Sequence, residues 1–140
     1  MTRITYRAWV DGLEALTVSG VTRRFSQGQP AALNTADLPA QWVQIPVPAG
    51  EESGLAFGGS GMERTVRADL VVALEPVGQS TQPANFDAAV SMLDSISAAL
   101  EGDTAHELAT GSPEWTMRLA IIQVAGNLYW AVVATAQAIA

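Results

Sequence analysis

The stretch Leu119–Ala140 places the tightest constraint on the fold, because none of its side chains is charged. An apolar segment of this length must be covered, either by lipid or by a protein core. Polar side chains are spread along it, and a turn signal, Gly126-Asn127, interrupts it. We therefore predict a buried β-hairpin rather than a membrane anchor, with strands over 115–124 and 128–136 and the turn at Gly126-Asn127.

Other periodic segments predict two helices and three more strands. Apolar residues recur at three- and four-residue steps over 5–16 and over 85–100, which predicts amphipathic helices. Strict alternation over 63–75 predicts a strand that is half exposed at its start and buried on both faces at its end. Shorter β-rich stretches predict strands over 21–26 and 41–46.

The resulting order is helix, three strands, helix and a two-strand hairpin, which indicates an α+β fold. We predict one domain over residues 1–140, with a mainly antiparallel sheet and both helices on one of its faces. The length of 140 residues fits a single domain, and we find no internal repeat. Hydrophobic residues make up 49% of the chain, which is enough to form a core without disulfides.

The residue types of common catalytic and metal sites are scarce. The chain has no cysteine and a single histidine, His106, which excludes thiol nucleophiles and Cys- or His-rich metal sites. The glycine cluster at 58–61 precedes a strand and lacks a lysine, and Ser60 lacks the spacing of a nucleophile elbow. Asp103, His106 and Glu107 fit a solvated helix end better than a metal site. We predict a protein that is not an enzyme and holds no metal or cofactor.

The charge balance indicates which classes of partner the protein can bind. Acidic residues number 14 against seven basic ones, all arginine, for a net charge of −7. This balance argues against a protein that binds nucleic acid by neutralising phosphates. Arginine without lysine favours bidentate pairing at protein interfaces, and it is equally what a GC-rich genome produces.

A glycine-rich segment and the residues around it are candidates for contacts with a partner. Residues 49–61 contain five glycines and an acidic pair, which predicts a long, mobile loop between two strands. Arginines lie on an earlier strand and directly after this loop. Trp42 lies in a short, proline-bounded strand and fits either the core or an interface. The candidate interface residues are Arg23, Arg24, Trp42, Glu51, Glu52, Phe57, Arg64 and Arg67.

Several segments in sequence carry a resemblance to a known family. They are an N-terminal helix followed by Ser19–Val21, a strand ending in Val43–Pro46, a glycine-rich loop leading into Met62–Ala73, a helix over Phe86–Ile96, and the closing hairpin. In this order they resemble the tail terminator (tail completion) proteins of long-tailed bacteriophages and their counterparts in phage-like particles. The resemblance covers nearly all of the chain and rests on the pattern, and no functional residue is carried over.

The resemblance implies a structural protein of the virion. Such proteins form a ring, here expected to be a hexamer, at the head-proximal end of the tail tube, through a head-to-tail interface that closes on itself. The ring ends tail growth and joins the tail to the head connector or stopper protein. The genome DNA is expected to pass through without specific binding. The expected location is the neck region of the virion, and the host cytoplasm during assembly, with no membrane partner.

Three alternatives stay open. The first is another neck or head-completion protein, although stopper proteins are mostly β and this chain has two clear helices. The second is a small ligand-binding α+β module, which needs a concave pocket with convergent polar groups. The third is an enzyme that works on Asp, Glu, Ser and Arg with at most one histidine.

Overall fold

The computed structural model describes residues 6–45, 56–58, 63–79, 81–102 and 114–139. Its elements confirm the α+β class and follow the predicted order, with one additional strand between the two helices. In chain order they are α1 (Tyr6–Glu14), β1 (Arg23–Arg24), a 3₁₀ helix (Thr35–Asp37), β2 (Ala40–Gln44), β3 (Ala56–Gly58), β4 (Glu63–Pro76), α2 (Phe86–Gly102), β5 (Glu114–Val124) and β6 (Asn127–Ile139).

The strands form one mixed, mostly antiparallel sheet in the order β1-β2-β4-β6-β5, and β3 pairs with the start of β4. Only β1 and β2 run parallel among the described strands. The long pair β4–β6 lies at the centre of the sheet, and β5 returns beside β6 as a hairpin. The predicted hairpin and the predicted antiparallel character are confirmed.

Both helices pack on the same face of the sheet, as predicted. Trp9 and Leu13 of α1 and Ile96 of α2 are fully buried against the sheet residues Leu70 and Val132. Three-residue and four-residue spacing places the helix residues on one stripe, and two-residue spacing places the strand residues on one face. We call this side of the sheet the helical face.

A second, smaller core lies on the opposite face. Trp42, Val71 and Ala131 point to this side, where Leu33 from the segment between β1 and β2 joins them. The Tyr129 hydroxyl donates a hydrogen bond to the Leu33 carbonyl at 3.4 Å. The sheet is therefore buried on both faces near its centre, in agreement with the apolar end predicted for β4.

A β-bulge in β4 places the start of α2. Ala73 and Glu75 face consecutive residues of β6, so Leu74 is an extra residue and both Leu74 and Glu75 lie on the helical face. The Glu75 carboxylate accepts a hydrogen bond from the Asn85 backbone N–H at 3.2 Å. The Asn85 side chain in turn accepts the Ala88 N–H at 3.1 Å, which caps the helix.

The turn of the β5–β6 hairpin lies one residue earlier than predicted. Val124 pairs with Asn127, so the two turn residues are Ala125 and Gly126 rather than Gly126 and Asn127. Both have positive φ, 52° and 82°. A two-residue turn with this backbone matches the twist of a hairpin, and a left-handed alanine is tolerated here in place of the usual asparagine.

The shifted turn also changes the neighbours of a tryptophan. Trp130 lies opposite Ile121, whereas the predicted turn at Gly126-Asn127 would have placed it opposite Gln123. Trp130 is buried, whereas Trp115 is half-buried at the other end of β5. The two tryptophans therefore pack separately on the helical face, as expected.

Two further predictions need correction. The stripe predicted for α2 includes Phe86 and Val90, but these side chains are 53% and 41% exposed, and Met92 is buried in the core instead. The segment 49–61 was predicted to be a loop throughout, but its described part, Ala56–Gly58, is strand β3. The remainder of that prediction, and the helix end predicted to carry Asp103, His106 and Glu107, lie outside the described residues.

Candidate interaction surfaces

Arg23 and Arg24 hold their own chain together at the β1 side of the sheet. The Arg23 guanidinium lies 3.2 Å from the Asp37 carboxylate and 4.5 Å from the centre of the Phe25 ring. Arg24 donates a hydrogen bond to the Ala15 carbonyl, just after α1, at 3.1 Å. Both predicted interface arginines thus have intramolecular partners, although the Arg23 side chain is still 56% exposed.

The other two candidate arginines lie at a different end of the sheet. β4 runs past β2, and Phe57 of β3 pairs with Arg64 in this extension. Arg23 pairs with Ala40 of β2, and Ala40 pairs with Ala73 of β4. Arg67 is exposed and lies six residues before Ala73 in β4. At about 3.3 Å per residue, Arg23 and Arg67 are roughly 20 Å apart along the sheet, and Arg64 lies farther away. The structure does not bring the four arginines into one cluster.

Trp42 is a core residue. Its side chain is 1% exposed on the face opposite the helices, and its indole N–H donates to the Gln44 side chain at 2.9 Å. Of the two interpretations of Trp42, the core is the one that the structure supports, and its burial leaves no indole surface for a partner. Glu51 and Glu52 lie outside the described residues.

A polar row crosses the face opposite the helices beside this core. Asp69 is 4% exposed and accepts a 2.7 Å hydrogen bond from the Thr135 hydroxyl. Arg118 of β5 donates to the same hydroxyl at 3.4 Å. The sequence predicts Asp69 on this face but in its half-exposed part, because alternation alone does not show which end of a face is covered. The row links three strands, β4, β6 and β5.

A cleft of about 620 Å³ opens on the helical face between α2 and the start of β2. Pro39 and Leu74 form part of its apolar lining, and the hydroxyls of Ser19, Ser91 and Ser95 contribute polar groups. Its volume lies in the range of small-molecule sites, about 300–1,000 Å³. It is one of the cavities in the described part that bear on the ligand-binding alternative.

Sequence reasoning missed an exposed apolar surface at the β5 side of the sheet. Of the five large apolar side chains that are exposed in the described part, four lie there: Phe86, Val90, Ile121 and Leu128. Together with the free edge of β5 they form what we call the β5 edge surface. The uncharged run after Arg118 was a signal for it, but we interpreted that run as core only.

The contacts of α2 place its two exposed large apolar residues, Phe86 and Val90, on this side. The flank of α2 with Ala88, Ser91 and Ser95 faces the cleft beside β2, so Phe86 and Val90 lie on the opposite flank, towards β5. Within the sheet, Trp130 lies between Ile121 on one side and Glu75 on the other. The Glu75 carboxylate accepts a hydrogen bond from the backbone N–H of the residue before Phe86. The four apolar side chains therefore belong to one region.

Two kinds of feature are absent from the described residues. These residues contain no group of three or more His, Cys, Asp or Glu side chains arranged to hold a metal ion. None of their helices is long and apolar enough to cross a membrane.

Comparison with known proteins gives no family for this chain. No protein-family profile matches the sequence, and no curated protein sequence matches it either.

Proposed function

We propose that this protein is a structural ring protein of a long-tailed phage or phage-like particle, which ends the tail tube and joins it to the head connector. The observation that carries the proposal is the order of the elements. A helix, a mixed sheet, a second helix on the same face and a closing hairpin follow one another as the resemblance requires. The proposal stands on this pattern and not on a matched relative.

The charge of the chain supports the same role. A ring around the path of the genome must let DNA slide rather than bind it. A subunit with a net charge of −7 repels the phosphate backbone. The exposed Arg23 is engaged by Asp37 rather than left for phosphates.

Electron microscopy of the full chain tests this function. The purified protein is imaged by negative staining alone, after mixing with purified tail tubes, and after mixing with purified head connectors. We expect closed rings, with hexamers as the expected size, at one end of the tubes. Binding to the connector but not to tube ends would assign another neck role, and protein that ignores both would refute the proposal.

A pair of variants tests whether the 49–61 segment contributes to ring assembly. Deletion of residues 51–60 is expected to abolish rings or to give tails of irregular length. The matched control replaces Glu51 and Glu52 by glutamine, which keeps the length of the segment and removes only its charge. Normal rings and normal tail lengths from the deletion would show that the segment has no such role.

The cleft beside α2 favours one second candidate, a small ligand-binding module. Its serine hydroxyls and apolar lining combine the two kinds of contact that orient a small ligand. A fragment screen by NMR would give shifts confined to the cleft, and Ala88→Trp, which fills it, would remove them. Shifts that persist in Ala88→Trp would place binding elsewhere.

A further inference from the structure

β5 is a long edge strand with a free side. It pairs with β6 over its whole length, and no other described strand pairs with it. In a hairpin with a two-residue turn, the residues that flank the turn form a hydrogen-bonded pair. Val124 and the other even-numbered residues of β5 therefore direct their backbone groups to β6, and the odd-numbered residues 115–123 direct theirs outward.

One observed contact agrees with this assignment. The Gln29 side chain donates a hydrogen bond to the Gln123 carbonyl at 3.1 Å, from outside the sheet. That contact occupies the end of the free side nearest the turn. The outward groups of Trp115, Met117, Leu119 and Ile121 remain on a straight edge.

This edge lacks the devices that protect an edge strand from pairing. Such strands are usually short, bulged, or interrupted by proline or lysine. The register of β5 is continuous over eleven residues, without a bulge, and residues 115–124 contain no proline and one charge, Arg118. The exposed apolar side chains of the β5 edge surface border it on the helical face.

The charge distribution indicates what can approach this surface. The whole chain carries a net charge of −7, so two copies repel each other over most of their surfaces. After Glu114 the sequence contains no acidic residue, and Arg118 is its one charge. From Trp115 onward, the β5–β6 hairpin therefore adds no acidic side chain to a contact between two copies.

The opposite edge of the sheet cannot supply a strand to β5. There the outward carbonyls of Pro39 and Gln41 already accept hydrogen bonds from the backbone of Thr22 and Phe25. In the described part, the long strand that a second copy offers is its own β5. We propose that the free protein self-associates through an antiparallel β5–β5 pair, which joins the two sheets into one.

The most extensive overlap of the outward residues fixes the register. A two-fold axis at Leu119 pairs Leu119 with its own copy and Met117 with the partner's Ile121. It also brings Trp115 opposite the partner's Gln123, where the Gln29 side chain would have to give way. Arg118 then faces the partner's Ala120, whereas an axis at Arg118 would place two arginines opposite each other, which is destabilising. This pair closes on itself and does not depend on the proposed ring, which needs a head-to-tail contact.

Sedimentation velocity of the full chain over a range of concentrations measures the pair. We expect a monomer–dimer equilibrium for the wild type. Ile121→Lys should weaken dimerisation at least about tenfold, because the pair would bury an unpaired charge. Ile45→Lys is the matched control, since Ile45 is 45% exposed, compared with 50% for Ile121, but lies beside β2. It should leave the dimer unchanged.

Single cysteines test the register, because the natural chain has none. In Leu119→Cys the two Cα atoms would be about 5.5 Å apart, within disulfide range, and oxidation should give a covalent dimer. In Thr116→Cys they would be roughly 20 Å apart, and no disulfide should form. A cross-link in Thr116→Cys but not in Leu119→Cys would refute the register.

Two results would overturn the pair itself. One is a wild-type monomer at every concentration, and the other is a dimer that Ile121→Lys leaves intact. Rings whose assembly needs Ile121, without a dimer in solution, would assign the β5 edge to a head-to-tail contact and also reject the pair. Dimers that ignore tail tubes would retain the pair and reject the ring.

Discussion

The two edges of the sheet are closed to different degrees. Beside β2, the backbone N–H groups of the two residues that flank β1, Thr22 and Phe25, donate to the outward carbonyls of Pro39 and Gln41 at N···O distances of 2.8 and 2.7 Å. Further ties bind this edge to the end of α1: the Gln27 N–H donates to the Glu14 carboxylate at 3.3 Å, and Arg24 to the nearby carbonyl of Ala15 at 3.1 Å. Beside β5, one side chain, Gln29, reaches the edge of the described strand.

The difference teaches where this fold has freedom to interact. At the β2 edge, a partner strand would first have to displace β1 and its hydrogen bonds. At the β5 edge, a partner needs only to displace water from the backbone and from the exposed apolar side chains. Stability should therefore depend on residues at the β2 edge, and association on residues at the β5 edge.

The largest expected effect contrasts a large apolar side chain in β2, which β1 covers, with one in the edge strand β5. Trp42→Ala empties a fully buried position in β2 and should lower the free energy of unfolding by about 3–5 kcal/mol. Ile121→Ala in β5 should change it by no more than about 0.5 kcal/mol under conditions where the protein is monomeric. Urea denaturation of both variants gives the two values. Equal losses would remove the contrast.

Proline in β5 separates the inward side of the strand from the outward side. Ile122 directs its N–H to β6, so Ile122→Pro removes one hydrogen bond of the ladder. Because a β6 carbonyl then loses its partner, the free energy of unfolding should fall by about 1–3 kcal/mol. Ile121→Pro removes an outward N–H and should cost less, since edge strands accept proline there. Thermal unfolding followed by circular dichroism ranks them, and the reverse order would show that the assignment of outward residues is wrong.

Arg23 should make a modest contribution to the closed edge. Arg23→Ala removes the ion pair with Asp37 and the contact with the Phe25 ring, and we expect a loss of about 1 kcal/mol. Because the side chain is 56% exposed, part of that loss should disappear in 1 M salt. Arg23→Lys is the control that keeps the charge. A loss that is the same at every salt concentration would assign the effect to packing.

The smallest expected effect lies in the turn that ends β5. Ala125 has φ 52°, a left-handed conformation in which asparagine is better tolerated than alanine. Ala125→Asn should therefore raise the free energy of unfolding by less than about 1 kcal/mol. The left-handed conformation costs most residues roughly 1–2 kcal/mol, and asparagine avoids only part of that cost. Asn127→Ala, outside the turn, should give no such gain. A destabilised Ala125→Asn would contradict the observed turn position.

The segments predicted best are those whose periodicity is compatible with only one type of secondary structure. The alternation of β4 and the three- and four-residue steps of α2 locate both elements to within two residues. The turn was missed by one residue because Gly-Asn is a strong local signal, whereas the ladder of the hairpin decides which residues take positive φ. β3 was missed because glycines typical of loops also occur in short strands at the end of a hairpin.

The interaction surface was harder to predict than the fold. A sequence pattern shows that Phe86 and Ile121 are apolar, but burial depends on which strand is last in the sheet. The order β4-β6-β5 leaves the β5 flank of α2 uncovered, and no local pattern encodes that order. In the same way, the pairing of Arg23 with Asp37 depends on how the chain between β1 and β2 folds back.

The bulge at Leu74 determines where β4 can change its length in evolution. Removal of any residue between Ala68 and Ala73 would turn the preceding side chains of the strand to the wrong face, because facing alternates with each residue. Removal of Leu74 would only make the ladder regular and would leave every other side chain on its own face. Homologues that differ in length within this strand are therefore expected to gain or lose a residue at this one position, with α2 still starting beside Glu75.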